Sequence, residues 1–189
     1  MKVLLTLLFV IYLTAVISYL VRLVWDRPWL SRVALGLVMG GVVLQTGLLC
    51  WRWWQAGYLP VTNLFSTLFF FSWALALIYL YFELRYRIGA TGLFVMVLNL
   101  ALLAGALPRE AQLSPLIPSL DTPLFTLHIL FSFTGYAFFA MAFSIGVLYL
   151  VQHRLQTRHL PDKLLLRRIN EESIFLGFGL FSLCIIAGS

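Results

Sequence analysis

Charge is what this chain has least of. Only 11% of its 189 residues are charged and just 7 are acidic, while 62% are hydrophobic. Soluble domains carry roughly 25% charged and about 45–50% apolar residues. A mean hydropathy of +0.97 leaves more apolar surface than a core of this size can hide, so lipid is the expected solvent. The net charge of +6 would point to nucleic acid in a soluble protein. Here the basic residues flank apolar runs, which assigns them to membrane orientation and removes nucleic acid as a partner. Cysteine is nearly absent as well. Cys50 and Cys184 stand alone, without C-x-x-C, C-x-x-C-H or zinc spacing, so the chain is not itself a c-type cytochrome, a thioredoxin-like reductase or a zinc protein. Both read as small core residues. No Ser-His-Asp set, phosphate-cradling glycine loop or pair of intramembrane carboxylates can be assembled. Hydrolase, kinase and proton-pump readings fall, and no side chain is assigned a catalytic role.

What the chain has in abundance is apolar length. Runs over 3–25, 33–53, 64–84, 90–107, 124–151 and 173–189 mark about six crossings, most near the ~20 residues that a ~30 Å hydrocarbon layer requires. The expected fold is all-α: one polytopic transmembrane bundle of about six helices over residues 1–189. The first run is too long for a signal peptide and lacks a small-x-small cleavage site, so it reads as an uncleaved anchor. The last gives only about 25 Å of helix. It ends without an interfacial anchor, as if cut from a longer domain. Of 13 Lys and Arg residues, all but Lys2, Arg52 and Arg109 fall after the first, third and fifth runs. That bias makes those loops cytoplasmic and puts the N-terminus outside. Trp51, Trp53, Trp54 and Tyr58 mark the outer interface, and Trp25, Trp29 and Tyr86 the inner one. "GLVMG" (36–40) suits small-xxx-small helix packing.

Two outward segments hold the polar chemistry. In "WRWWQAGYLPVTNLFSTLFFFSW", Asn63 or Thr62 suits a helix cap, and the aromatics suit either anchoring or the floor of an apolar site. In "LPREAQLSPLIPSLDTPLFTLHILFSF", Pro108, Pro115 and Pro118 break the helix, and Asp121 or Thr122 can cap the next one behind Pro123. His128 then lies roughly 7–8 Å inside that helix, with Ser132, Gly135 and Phe139 on its face. The helix dipole disfavours imidazolium there and leaves a neutral ring with a lone pair, the form a metal ligand requires. Two readings stand side by side, a hydrogen-bonded bundle histidine and a ligand. Gln45 reads as an interhelical hydrogen bonder at seven residues from Arg52. Arg52 and Arg109 read as partners of lipid phosphate or of another anion at the outer face. His153 and His159 lie in a basic cytoplasmic loop that touches anionic headgroups. A transporter would spread polar groups through the midplane, whereas polarity here clusters at the outer interface.

Three stretches carry a resemblance. "RWWQAGYLPVTNLFSTLFFFSW", "SPLIPSLDTPLFTLHILFSFTGYAFFAMAFSIGVLYL" and "LRRINEESIFLGFGLFSLCIIAGS" resemble, in order, the cytochrome c assembly protein family of CcsA/ResC type. The middle one, with Pro-Leu-Ile-Pro, Leu-x-x-His and Gly-Tyr-Ala, is the most specific. The resemblance implies a haem-handling protein of the bacterial inner (plasma) membrane. Such a protein presents non-covalent haem at the outer face for attachment to C-x-x-C-H motifs of apocytochrome c, beside a second biogenesis membrane protein. It implies at most a share in a haem lyase. His128 matches the family's first outward histidine, an axial ligand of haem iron, and Arg52, Arg109 and Trp54 become candidate neighbours of the haem. Gln45 stands where many members have histidine, and Ser66 where they have glutamate. The family's tryptophan-rich haem-binding segment and its second axial histidine are expected beyond "LCIIAGS", which implies either a fragment or a reduced relative. HemX-like proteins, linked to regulation of haem synthesis, share the helix bearing "HI" and "GYA" and imply a non-catalytic partner instead.

Overall fold

A computed structural model of the protein describes residues 1–25, 27–109, 113, 116, 122–155 and 160–188. Among these residues all regular structure is helical, as expected. The helices are α1 (Lys2–Trp25), α2 (Pro28–Ala56), α3 (Leu64–Tyr86), α4 (Gly92–Ala106), α5 (Pro123–Leu155) and α6 (Lys163–Gly188), with a 3-10 turn at Gly89–Thr91.

Local chemistry sets the ends. Pro28 opens α2, where its missing N–H costs nothing. Asn63 caps α3, its Oδ1 accepting the Ser66 N–H at 2.8 Å. Thr122 does the same for α5, its Oγ1 accepting from the Phe125 N–H at 3.2 Å; Asp121, the alternative cap, lies outside the described residues. Five helices are long and apolar enough to cross a membrane. Only α4 is shorter, its 15 residues spanning about 22 Å.

α1 packs on α2 and α4, and α3 on α2 and α4, so the first four helices close into a ring. α5 lies against α3 and α4, and α6 packs mainly on α5. The core of the ring is fully buried Leu8, Tyr12, Leu75, Tyr79, Met96 and Leu103. Apolar residues remain exposed along every outer face, as lipid contact demands.

Three expectations need correction. The helix of the sixth run begins at Lys163, ten residues before 173, and has 26 residues, or about 39 Å. Its polar first turns hold because Arg167 pairs with Glu171 one turn on at 2.8 Å and Glu172 is gripped by α3. The "GLVMG" stripe is not a packing face among the described residues: a Cβ on Gly36 or Gly40 would meet nothing within 4 Å. The glycine α2 does use is Gly41, where a Cβ would come within 2.6 Å of the Tyr12 ring. Cys50, read as core, is exposed, and only Cys184 is buried.

Candidate functional site

His128 sits in the second turn of α5, half-buried against the last turn of α6. Its Nδ1 lies 2.9 Å from the Cys184 carbonyl oxygen and 3.5 Å from the Cys184 Sγ. Ser132, one turn on, donates its hydroxyl proton to the His128 carbonyl at 2.7 Å, and its Oγ stands 2.8 Å from Cys184 Sγ. That hydroxyl has one proton, already committed, so the Cys184 thiol must be the donor to Ser132. A carbonyl only accepts, so the ring must be protonated on Nδ1. The lone pair is therefore on Nε2, which takes no hydrogen bond among the described residues. The ring lines a cleft of about 270 Å³ with Thr122, Leu124, Phe125, Ala187 and Gly188. Gly188 belongs to this arrangement because a Cβ there would lie 2.5 Å from His128 Nδ1.

The other expected site residues do not converge on this ring. Arg52 does not face lipid. It is 2% exposed, inside the ring of helices, donating from Nη2 to Ser66 Oγ at 3.2 Å with its guanidinium 5.0 Å from the centre of the Phe65 ring. The phosphate reading of Arg52 fails because α2 turns that face toward α3 rather than lipid. Trp54 is 82% exposed, as a belt residue should be. Arg109 is exposed and folds back to donate to the Gly105 carbonyl. His128 hydrogen-bonds none of these three; its partners are all on α5 and α6. His153 is exposed at the far end of α5, and His159 lies outside the described residues.

Polarity is not confined to the outer interface, contrary to the sequence expectation. Fully buried Gln45 accepts from Tyr12 at 2.9 Å and donates to the Phe69 carbonyl at 2.9 Å and Ser72 at 3.4 Å, the interhelical role expected of it. Toward the other end of the ring, Tyr79 donates to Glu83 at 3.4 Å, so the Tyr19 hydroxyl, 2.6 Å away, donates to Tyr79. Glu83 also accepts the Gly89 N–H at 2.8 Å, pinning the turn between α3 and α4. Asn99 is fully buried, with neither side-chain oxygen nor nitrogen hydrogen-bonded among the described residues. The tyrosines escaped notice because isolated tyrosines in apolar helices look like packing residues; their spacing along α3, Ser72 to Tyr79 to Glu83, was the available signal.

For chemistry the cleft offers one nitrogen. Among the described residues no three His, Cys, Asp or Glu side chains group as metal ligands. A single imidazole would suit an iron whose remaining ligands come with a porphyrin. The carbonyl-oriented ring fits that donor role, although the cleft is smaller than the ~300–1,000 Å³ usual for a small-molecule site.

A family model described as cytochrome C assembly protein matches residues 61–189, the stretch that holds His128, Ser132, Cys184 and Gly188. The chain belongs to the cytochrome c assembly protein family. It is 29% identical over 152 residues to the cytochrome c biogenesis protein CcsA of Synechocystis sp., covering 78% of this chain and 46% of that one. To the CcsA of Pyropia yezoensis it is 31% identical over 126 residues, covering 65% and 40%. To protein HemX of Bacillus subtilis it is 28% identical over 160 residues, covering 84% and 58%. The chain spans about half the length of the curated relatives it matches. Gln45 and Arg52 lie on α2, ahead of the region that the family model matches.

Proposed function

We propose that this chain is a haem-handling membrane protein of c-type cytochrome biogenesis, with His128 as one axial ligand of haem iron at the outer face. One observation carries the reading. The His128 ring is held in the tautomer that leaves Nε2 as a donor, at a cleft it lines with Thr122, Leu124, Phe125, Ala187 and Gly188 within the family-matched region. The positive bias of the loops after α1, α3 and α5 supports an N-terminus outside and the cleft outside a bacterial plasma membrane. Haem would supply the iron and the groups that become thioethers on an apocytochrome. The chain's own part is to bind, orient and shield. Its partners are an apocytochrome c, a second biogenesis membrane protein and the bilayer.

The test is spectroscopic. Purified from haem-replete cells, the wild-type chain should carry a haem absorbance band with one protein axial ligand. His128→Ala should lose that band, and added imidazole should restore it by filling the vacated position. His153→Ala should leave the spectrum unchanged, because His153 is at the other end of α5. Retention of the wild-type spectrum and haem content in His128→Ala would remove the assignment.

A second reading has support of its own. The HemX alignment covers larger shares of both chains than either CcsA alignment reported above. On that reading the chain is a non-catalytic membrane partner that binds no haem, and neither variant changes any absorbance.

A further inference from the structure

We infer that the C-terminal turn of α6 is a positioning element for His128, the Cys184 carbonyl choosing the ring's tautomer and Gly188 admitting the ring. The inference rests on the reading of His128 as an iron ligand, and deepens it by naming what holds the ligand. A neutral imidazole has one N–H and one lone pair, and which nitrogen donates to a metal is decided by the hydrogen bond the other one makes.

Every proton in the cluster is accounted for. Cys184 S–H donates to Ser132 Oγ, Ser132 O–H donates to the His128 carbonyl, and His128 Nδ1–H donates to the Cys184 carbonyl. The Cys184 sulfur, its own proton directed elsewhere, faces the same Nδ1–H at 3.5 Å as a weaker second acceptor. Of these bonds it is the one from Nδ1–H to the Cys184 carbonyl, between the two helices, that sets the tautomer.

Gly188 supplies the space. A Cβ there would lie 2.5 Å from Nδ1 and 2.8 Å from Cε1, inside contact distance of ring atoms that are anchored rather than free to swing. A methyl group at 188 therefore breaks the Nδ1 contact or tilts the ring. A thiol-to-methyl change at 184 does neither, because the acceptor is backbone. The two variants separate a carbonyl-positioned ring from a ring that merely neighbours a thiol.

Histidine labelled with nitrogen-15 in the full chain, in nanodiscs and without haem, reads the tautomer directly, and the His128→Ala spectrum assigns the signal. Wild type and Cys184→Ala should both show Nδ1–H, with Gly188→Ala shifted toward the other tautomer or a mixture. In haem titrations Gly188→Ala should bind roughly tenfold to hundredfold more weakly, the usual effect of losing a ligand's hydrogen-bond partner. Free imidazole should rescue it. A wild-type ring protonated on Nε2 overturns the proposal, whatever haem does. So does a Gly188→Ala chain with wild-type tautomer and haem affinity while His128→Ala has lost haem. If His128→Ala keeps its haem, the ligand reading fails instead, and the tautomer spectra still decide whether α6 positions the ring.

Discussion

Gln45 joins three helices through one amide. Its oxygen takes the Tyr12 hydroxyl of α1, and its nitrogen donates to Phe69 and Ser72 of α3. Inside a bilayer no water can replace a lost partner, yet measured interhelical hydrogen bonds are individually modest. Gln45→Leu strands the Tyr12 hydroxyl and is expected to cost roughly 1 kcal/mol. Denaturant titration of the detergent-solubilised chain checks this, and the double variant with Tyr12→Phe should recover part of the loss, since both groups are then apolar. An unchanged midpoint in Gln45→Leu would show that the amide does not hold the ring of helices together. Arg52 makes the complementary point. Arginine at membrane depth is costly unless it faces the bundle interior. Here it does, stretched over Phe65 to reach Ser66.

α6 is the element whose two ends do different work. Its last turn holds His128, while its N-terminal half is tied to α3 by a single carboxylate. Glu172 accepts from Tyr81 at 2.9 Å, Arg85 at 2.9 Å and Tyr86 at 2.5 Å, and Arg85 and Arg168 both lie over the Tyr86 ring. Otherwise α6 leans chiefly on α5, where a Cβ on Gly177 would come within 2.9 Å of the Phe139 ring. Glu172→Ala removes all three contacts at once. It should speed amide hydrogen exchange across 163–172 while leaving α1 and α2 unchanged, because those helices do not depend on the clamp. Exchange that stays at the wild-type rate would mean the packing on α5 suffices. The polar start of α6 explains why hydropathy alone placed this helix ten residues too late. Its first turns are stabilised by side-chain pairs and by α3, neither of which an apolar-run criterion registers.

For the whole molecule, the charge bias and the helix order make one joint claim. A reporter fused after Arg87, or within 153–159, should behave as cytoplasmic, and one fused near Ser114 as external. The reversed pattern would move the His128 cleft to the cytoplasmic side and sink the outer-face reading. The ring of α1–α4 and the α5–α6 pair also divide the chain's chemistry. The buried tyrosines, Gln45, Glu83 and Asn99 line the ring, whereas His128 belongs to the pair beside it. Among the described residues no hydrogen bond joins His128 to the buried polar residues of the ring.

Hydropathy, charge bias and cap residues were enough to establish the all-helical membrane class, the first five helices and the cap of α3 at Asn63, because each depends on local composition or on neighbours three or four residues away. The family was legible too, since its motif around His128 is a contiguous string. Partnership across the chain was not. Which nitrogen of His128 is free depends on a carbonyl 56 residues away. Whether Arg52 meets lipid or Ser66 depends on how α2 is rotated against α3, and a glycine is a contact or a gap according to which helix lies beside it. Hydropathy is blind to rotation about a helix axis, because an apolar helix in lipid is apolar all round. Only packing decides that angle, and here it turned Gly41 and Arg52 inward and left Gly36 and Gly40 without a neighbour.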